Sequence, residues 1–391
     1  MNKPLHIVQL PSYFMPFGGG EFCMEQSVAL KKSGIDPVII AHVILPFQAA
    51  FNIRYSPFEH MTEENGIPIY RTYQRNIPKT NKINLERWIK GTVNRVSAYI
   101  KKNGKPDLIH AHGWQCAGYA CSIIKEKYQI PYIITEHSGK LNPNSDFIDK
   151  MKSDDWINHK IRTAYNHADA IIGVSNEVLD GIRQFLQTDV PLFCVSNLLD
   201  VDFFSLRQLK LTKHDNFIFA AANSNVPAKA YHILFQAFDI LCEHNPNVQL
   251  HIAGNGFNTK LGKQLMRATI HHDKIELLGW QSPEGIRSLL YNADAFVLSS
   301  CEESQSIATL EAMCIGLPVV GTAVIPEVML TSNVGYRVPV NDPPMLAKAM
   351  LKMIEHYQEF DIKKIRGTAL ALAHPDIVAK QILKIYQMVI A

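Results

Sequence analysis

The sequence lacks any apolar run long enough to cross a membrane, and it carries little excess charge. A transmembrane helix needs about 18 consecutive apolar residues, and no such run occurs. The net charge at pH 7 is only +3, which is too small to indicate a partner as anionic as nucleic acid. We therefore predict a protein without membrane-spanning helices that does not bind nucleic acid.

The sequence also lacks a cysteine pattern that would indicate disulfides or a zinc site. Its seven cysteines are scattered, odd in number and free of Cys-x-x-Cys spacing, which is typical of reduced proteins. The amino-terminal apolar run is too short for a signal peptide, and Pro11 follows it at once. These features predict a cytoplasmic protein.

Apolar, β-prone runs alternate with helix-length segments along all 391 residues. Near-continuous apolar strands joined by helices are typical of buried parallel sheets. Two such series fit two α/β domains better than one oversized sheet. The predicted strands are Leu5–Gln9, Pro37–Ala41, Ile69–Thr72, Leu108–Ala111, Tyr132–Thr135, Ala170–Val174 and Leu192–Val195 in the first series, and Phe217–Ala221, Gln249–Ala253, Ile275–Leu278, Ala295–Leu298, Val319–Gly321 and Tyr336–Val338 in the second.

A polar, basic stretch, Arg207–Asp215, separates the two series. We predict a first domain at residues 1–197, a linker at 198–214 and a second domain at 215–374. The remaining residues, 375–391, contain an apolar segment with helical spacing.

The stretch from Ser299 to Val320 is the most informative part of the sequence. A predicted strand leads into a polar loop, and an unusually apolar helix follows, which Ser304 or Ser306 would cap and Gly316 would end. A helix that is apolar all round is a buried helix, yet this one contains Glu311. Because a buried carboxylate is costly unless it has a partner, either a basic neighbour pairs with it or ligand hydroxyls bind it. The helix alone leaves both open.

A second carboxylate, Glu303, lies eight positions earlier, in the loop at the carboxyl end of a strand. Open α/β sheets bind ligands at that edge. The helical rise places the two carboxylates roughly 10 Å apart, which suits the two ends of a nucleotide-diphosphate sugar. The diphosphate between them would meet backbone N–H groups at the helix start, at Ser306 and Ile307.

The pattern Glu303…Glu311-Ala312-Met313…Gly316-x-Pro318 resembles the Glu-x7-Glu signature of the retaining glycosyltransferases of family 4. The resemblance implies the GT-B fold: two Rossmann-like domains facing across a cleft, with a carboxyl-terminal helix returning to the first domain. It implies metal-independent transfer of a sugar, without a cofactor, from a nucleotide sugar to a glycan or lipid-linked acceptor on the first-domain side. Glu303 would contact the donor sugar, and Glu311 would hold the ribose.

The same resemblance assigns roles to further residues. It places Gly19 and Gly20 in a loop beside donor phosphate or acceptor, His137 on the donor sugar, Gly254 in a phosphate-side loop and Trp280 beside the nucleobase. From the residues alone each has a plainer interpretation: a flexible turn, a structural histidine or a core aromatic. We keep both interpretations open.

Lys229 occupies the position of the family's diphosphate-binding lysine, but Ser224 stands where the family has arginine. Gln305 and Ser306 replace an aromatic–glycine pair. These departures favour one alternative, a catalytically silent nucleotide-sugar-binding protein. A nucleotide-sugar epimerase, which shares the two-domain architecture, is the other. The tripeptide Asp200-Val201-Asp202 matches a metal-binding signature of other glycosyltransferases, but so short a match arises easily by chance, and we expect no metal site.

Residues 79–105 contain eight Lys or Arg residues against Glu86 alone. From Ile83 to about Lys101 the spacing of apolar residues predicts a helix. Its basic side is either a solvated face or a surface that docks on anionic lipid beside a lipid-linked acceptor. The second interpretation predicts peripheral contact with the inner face of the membrane.

Overall fold

The computed structural model describes residues 3–14, 21–45, 60–143, 145–207 and 216–391. Gly19 and Gly20 lie outside these described residues. The chain divides into two compact units, the first made of residues 1–198 and 375–391 and the second of residues 199–374.

The first unit is built around an eight-stranded sheet with the strand order β3-β4-β2-β1-β5-β6-β7-β8. All of its pairs are parallel except β3 with β4. The strands are β1 (His6–Pro11), β2 (Asp36–Leu45), β3 (His60–Glu64), β4 (Ile67–Arg75), β5 (Leu108–His112), β6 (Tyr132–Glu136), β7 (Ala170–Gly173) and β8 (Leu192–Cys194). The helices are α1 (Glu21–Lys32), α2 (Asn81–Asn103), α3 (Tyr119–Tyr128), α4 (Asp146–Ser153), α5 (Asp155–Asn166) and α6 (Asn176–Arg183).

The central strands of this sheet are apolar along their whole length because helices cover both of its faces. Every residue of β5, β6 and β7 is buried. Helix α2 contributes Trp88, Ile89 and Val96 to the core on one face, and α1 contributes Leu30 on another. Parallel strands of this kind place their carboxyl ends, and the loops that follow them, along one edge of the sheet.

Strand β3 is the one strand of the described residues that our strand prediction missed. It forms an antiparallel hairpin with β4, in which Glu64 pairs with Ile67. The turn residues Asn65 and Gly66 have positive φ angles of 51° and 74°, as a two-residue hairpin turn requires. The Asn-Gly dipeptide is a strong hairpin signal, so this strand was visible in the sequence.

The second unit contains a six-stranded parallel sheet with the order β11-β10-β9-β12-β13-β14. The strand order reverses between its first strand, β9, and its fourth, β12, so their carboxyl ends flank the switch point at which such sheets bind ligands. The strands are β9 (Phe217–Ala222), β10 (Val248–Ala253), β11 (Ile275–Gly279), β12 (Ala295–Leu298), β13 (Val319–Thr322) and β14 (Gly335–Val338). The helices are α7 (Tyr231–His244), α8 (Lys260–Ala268), α9 (Pro283–Asn292), α10 (Ile307–Cys314), α11 (Pro343–His356) and α12 (Ile362–Ala373). The predicted α/β class and both sheets are confirmed.

Helix α10 is buried, as its apolar sequence predicts, with Leu310 and Met313 fully enclosed. It ends where predicted, because Gly316 adopts a φ of 90° and the N–H groups of Gly316 and Leu317 bond to carbonyls of the last turn. The prediction of a serine cap was wrong. Ser306 stands at the cap position with a left-handed φ of 49° and makes no side-chain cap; its hydroxyl bonds to Thr309 Oγ1 instead.

The last helix, α13 (Pro375–Ile390), belongs to the first unit, as the resemblance predicts. Val378, Ile382 and Tyr386 are fully buried against the first sheet. The segment predicted as a linker, 198–214, is described as far as Arg207, and its residues Leu199, Val201 and Phe204 are buried in the core of the second unit. Among the described helices, none is both long enough and apolar enough to cross a membrane.

Candidate active site

The loops that follow β9 and β12 meet at the switch point of the second sheet. The first loop, Asn223–Lys229, contacts the second, Ser299–Ser306, through its backbone: Cys301 N–H donates to Ala228 O at 2.8 Å. The Ser299 hydroxyl donates to Lys229 O at 2.8 Å. These bonds fix the backbone position of Lys229, and so the point from which its side chain extends.

Lys229 and Glu303, predicted to bind the donor diphosphate and the donor sugar, contact each other across these loops. Lys229 Nζ lies 2.6 Å from Glu303 Oε1, and the Ser300 hydroxyl donates to the same oxygen at 2.7 Å. The Glu303 side chain is only 7% exposed and that of Lys229 20%. Among the described residues, nothing donates a hydrogen bond to the other carboxylate oxygen, Glu303 Oε2. The arrangement holds a carboxylate in place by one oxygen and leaves the other without a donor.

Ser300 is a site residue that the sequence analysis missed. It is fully buried, and its backbone oxygen accepts a hydrogen bond of 2.6 Å from Thr322 at the end of β13. Three strands, β9, β12 and β13, therefore position the Glu303 carboxylate. The partnership of Ser300 with a carboxylate three positions later depends on the loop conformation, which the sequence pattern does not predict.

The amino-terminal end of α10 carries Ser306, Ile307 and, one turn later, Glu311. Ile307 is 39% exposed in a largely buried helix, so this end reaches the surface. The N–H groups of Ile307 and Ala308 donate to no acceptor among the described residues, as is usual for the first turn of a helix. Glu311 is half-buried and takes part in an interaction within the protein.

Gly254 follows β10 and lies against the loop after β9. Its φ is 154°, and a Cβ at this position would lie 2.0 Å from Asn223 O. The next residues continue the contact, since Asn225 N–H donates to Asn255 O at 2.7 Å. Gly254 thus permits a close approach of two backbones, and this explains the glycine without any ligand. Ser224 lies on the same loop with its side chain exposed.

Trp280 follows β11, and its side chain is 69% exposed. The alternative that this aromatic belongs to the core is therefore wrong. A tryptophan left in solvent exposes a large apolar surface, and such surfaces often mark binding sites. Its contact with a nucleobase stays a prediction.

His137 follows β6 in the first unit, and both of its ring nitrogens are engaged. Nδ1 lies 2.7 Å from Asn197 Oδ1, and Nε2 lies 3.1 Å from His112 Nδ1. The Phe22 ring stacks on it at a centroid distance of 3.9 Å. Burial lowers the pKa of His137 to about 4, against the opposing effect of the Asn197 bond, so the ring is neutral at pH 7.

The carboxyl group of Glu136, which precedes His137 in the sequence, is hydrogen-bonded to groups other than the His137 ring. Its Oε1 accepts hydrogen bonds from Trp114 N–H and from the Tyr165 hydroxyl at 2.9 Å. Burial raises the pKa of Glu136 to about 7, and these two bonds only partly oppose the effect. The hydrogen bond from Trp114 N–H to Glu136 therefore holds the start of the loop after β5.

Comparisons with known proteins identify the family. The family described as Glycosyltransferase Family 4 matches residues 18–203, and the family described as Glycosyl transferases group 1 matches residues 214–356. The chain belongs to the family 4 glycosyltransferases. The resemblance predicted from the sequence is confirmed, and both matches together cover most of the chain.

Two relatives of this glycosyltransferase illustrate the range of the family. The chain is 25% identical over 271 residues to N-acetyl-alpha-D-glucosaminyl L-malate synthase of Bacillus anthracis, and the match covers 66% of this chain and 68% of the relative. It is 24% identical over 371 residues to TuaC of Bacillus subtilis, which is named as a glycosyltransferase of teichuronic acid biosynthesis, covering 90% and 88%.

Solved structures show the fold. Sucrose-phosphate synthase of Thermosynechococcus elongatus superimposes with a TM-score of 0.77 at 17% identity, covering 98% of each chain. HepE of Anabaena, in complex with UDP and glucose, superimposes with a TM-score of 0.74 at 17% identity, covering 98% of this chain and 99% of that one. The glycosyltransferase has the GT-B type of fold, as predicted.

The basic helix α2 of this glycosyltransferase is amphipathic. Trp88 and Ile89 are buried, while Arg87 and Lys90 are exposed. Its acidic residue, Glu86, pairs with Lys160 at 2.9 Å. The basic face is therefore a solvated surface in the isolated chain.

The Asp-x-Asp tripeptide has a structural role in the glycosyltransferase. Asp200 Oδ1 accepts a hydrogen bond of 2.9 Å from Phe203 N–H and so holds a turn. Within the described ranges, no three His, Cys, Asp or Glu side chains come together in a way that would hold a metal ion.

Proposed function

We propose that this glycosyltransferase moves a sugar from a nucleotide-diphosphate donor to a glycan or lipid-linked acceptor, with retention of configuration and without a metal. The observation that carries this proposal is the contact of Lys229 and Ser300 with Glu303 where the loops after β9 and β12 meet. A role in polysaccharide or glycoconjugate synthesis is supported by the names of the relatives. A nucleotide donor is supported by the UDP bound to the similarly folded HepE.

Each end of the donor has a carboxylate to receive it. Glu303 Oε2 would accept hydrogen bonds from hydroxyls of the donor sugar, because Lys229 and Ser300 occupy only Oε1. Glu311 would hold the ribose hydroxyls. The pairing of carboxylates with hydroxyls is favourable because a charged acceptor strengthens each hydrogen bond.

Positive charge for the leaving diphosphate would come from Lys229 and from backbone N–H groups. Lys229 Nζ has three donors, so it can retain Glu303 while it binds a phosphate oxygen. With Ser224 in place of an arginine, the N–H groups of Ile307 and Ala308 would supply the rest of the stabilisation at the start of α10. This set of donors needs no metal.

We infer a front-face substitution rather than a covalent intermediate. The bond between the anomeric carbon and the diphosphate oxygen breaks, and a bond to the acceptor oxygen forms on the same face of the sugar. The acceptor proton passes to the leaving phosphate oxygen. His137 would contact the donor sugar as a neutral ring, which fits its lowered pKa, and it would have to release Asn197 or His112 to do so.

A second candidate is a protein that binds nucleotide sugars without transferring them. The mutual neutralisation of Lys229 and Glu303, together with Ser224 at the arginine position, favours it. A panel of nucleotide sugars with glycan and lipid-linked acceptors separates the candidates. We expect thermal protection by one donor and turnover with an acceptor; protection without turnover would favour the silent protein, and a changed sugar without an acceptor would indicate an epimerase.

We also propose that the exposed basic face of α2 places the enzyme beside a lipid-linked acceptor. Several cations on one helical face attract anionic lipid at about 1 kcal/mol each. Arg87 and Lys90 would carry this contact, since both are exposed on the face opposite Trp88. The association would be peripheral and would not depend on a membrane-spanning segment.

A further inference from the structure

Seven polar side chains of the first unit form one continuous hydrogen-bonded series, which we name the histidine network. Successive partners are 2.6 to 3.1 Å apart. Most members are buried, and Gln9, His110 and Tyr386 are completely so. In order, the network contains Asn197, His137, His112, Gln9, Tyr386, His110 and Thr135.

Each histidine of the network uses both ring nitrogens. A neutral imidazole has one donor and one acceptor nitrogen, so the hydrogen position on one ring determines it on the next. Burial lowers the pKa of His110 to about 3 and that of His112 to well below its ordinary value. At pH 7 all three rings are therefore neutral and coupled.

Two patterns satisfy every member of the network, and each requires one amide to turn by 180°, which exchanges its oxygen and nitrogen. In the first, the Gln9 amide is turned: Thr135 donates to His110, His110 to Tyr386 and Tyr386 to Gln9 Oε1, and the direction continues through His112 and His137 to Asn197 Oδ1. In the second, Gln9 keeps its orientation and donates from Nε2 to Tyr386, and the Asn197 amide is turned so that its nitrogen donates to His137; every donor then points toward the Thr135 oxygen. Either pattern fixes the tautomer of His137, since Nδ1 is the donor in the first and the acceptor in the second.

Tyr386 is the member that links the two halves of this network. Its hydroxyl lies 3.0 Å from Gln9 Nε2 and 2.8 Å from His110 Nδ1. It belongs to α13, the helix that begins at Pro375, where the chain returns to the first unit. At the far end, Asn197 lies two positions before the start of the second unit at Leu199.

We propose that Tyr386 is a positioning residue that fixes the tautomer of His137 through Gln9 and His112. This role rests on the proposed function, because His137 acts there as a contact of the donor sugar. A sugar hydroxyl that replaces Asn197 at Nδ1 meets a donor in one pattern and an acceptor in the other. Tyr386 thereby determines whether His137 Nδ1 donates a hydrogen bond to the sugar hydroxyl or accepts one from it, although Tyr386 does not contact the sugar itself.

Nitrogen-15 NMR of the histidine rings tests this role on the full-length protein. In the wild type we expect one tautomer for each of His110, His112 and His137. Tyr386→Phe removes one hydroxyl and should convert all three rings, His137 included, to mixtures of tautomers. Thr135→Val removes the hydroxyl at the end of the network opposite Asn197. It should also change the tautomer of His137, and it replaces Tyr386→Phe as the test if that variant does not fold.

Tyr132→Phe is the matched control, because it removes another buried hydroxyl of the same unit, whose one hydrogen bond within the described residues is to Ala164 O. It should leave the three rings unchanged. An unchanged His137 tautomer in both network variants, or an equal change in the control, would overturn the proposal.

The transfer assay supplies an independent reading. We expect kcat of Tyr386→Phe to fall on the order of tenfold while KM for the donor stays constant. Equal kcat in Tyr386→Phe and the wild type would contradict the positioning role. If the wild type transfers no sugar, the proposed function fails, and the NMR result alone decides whether Tyr386 sets the tautomer.

Discussion

Lys229 and Glu303 lie 74 positions apart in the sequence, yet Lys229 Nζ lies 2.6 Å from Glu303 Oε1. Their strands, β9 and β12, are neighbours in the sheet although β10 and β11 separate them along the chain. Such a neighbour relation is a property of the switch point. The fold therefore assembles an enclosed cation and carboxylate at the edge where a nucleotide would bind.

This ion pair should contribute to stability because each member shields the charge of the other. Lys229→Met leaves the Glu303 carboxylate buried and unpaired, and we expect the free energy of unfolding to fall by roughly 3 kcal/mol. Glu303→Gln should cost less, since Lys229 is more exposed. The double variant should recover most of the loss in urea unfolding.

The exposed pair of Arg183 and Asp180 provides the control for that cycle. Both side chains are more than half exposed, and exposed pairs contribute about 0–1 kcal/mol. Arg183→Met and Asp180→Asn should each change stability little. Additive losses in the Lys229 and Glu303 cycle would show that the two side chains are not coupled.

Gly254→Ala should destabilise the second unit. The added Cβ would meet Asn223 O at 2.0 Å, so one of the two loops must move, at a cost of about 2–3 kcal/mol. Gly367→Ala is the control, because no tertiary neighbour in the described part of the chain lies within 4 Å of that Cβ and alanine favours the helix by about 1 kcal/mol. Thermal unfolding that ranks Gly254→Ala at or above wild type would contradict the close approach.

The buried carboxyl of Glu136 should make stability depend on pH. Its pKa is raised from 4.5 to about 7, so between these values the folded protein keeps a proton that the unfolded chain has lost. Stability should therefore fall as the pH rises through this window, by roughly 3 kcal/mol in total. Below pH 4.5 the carboxyl is protonated in both states and no penalty applies.

Glu136→Gln keeps an acceptor for Trp114 and Tyr165 and should remove this dependence. The free energy of unfolding in urea is measured from pH 4 to pH 8 for wild type and variant, and the difference between the two is compared. The buried histidines contribute equally to both proteins and cancel in this difference. Glu126→Gln, the same change on an exposed side chain, should leave the pH profile unchanged. A constant difference between wild type and Glu136→Gln would contradict the raised pKa.

Reversing charge on α2 tests the lipid-docking proposal. We expect the wild type to co-sediment with vesicles containing anionic phosphatidylglycerol and the variant Arg87→Glu/Lys90→Glu to lose this binding. Lys260→Glu/Lys263→Glu changes the net charge equally on exposed residues of α8 and should still bind. Sedimentation that both variants retain, or that the wild type lacks, would remove the membrane role.

Local pattern was enough to predict the elements of the fold. All thirteen predicted strands are present, because apolar runs bounded by turns mark buried strands wherever they lie. The buried helix α10 and its end at Gly316 follow from the same kind of pattern. Strand β3 was missed because its residues are mostly polar, although Asn65 and Gly66 indicated the turn beside it.

The partners within the site depend on tertiary contacts that no local pattern contains. Glu303 and Lys229 were each assigned to a ligand, and nothing in either stretch indicated that they bind each other. Ser306 fits the composition of a helix cap, but its left-handed backbone directs the hydroxyl to Thr309. The Glu136 carboxyl likewise binds Trp114 and Tyr165, which lie 22 and 29 positions away, rather than the adjacent histidine.

The affinity of Glu311→Ala for the nucleotide of the preferred donor tests the central claim most directly, measured by isothermal titration calorimetry. Glu302→Ala is the matched control, because it removes a neighbouring carboxylate to which no role is assigned. We predict that Glu311→Ala binds the nucleotide at least about tenfold more weakly, because it loses one charge-assisted hydrogen bond of about 1.5 kcal/mol or more. Glu302→Ala should bind with the wild-type affinity. Glu303→Ala should slow the transfer of the sugar. Unchanged affinity in Glu311→Ala, with unchanged transfer in Glu303→Ala, would contradict the claim that these two carboxylates hold the donor.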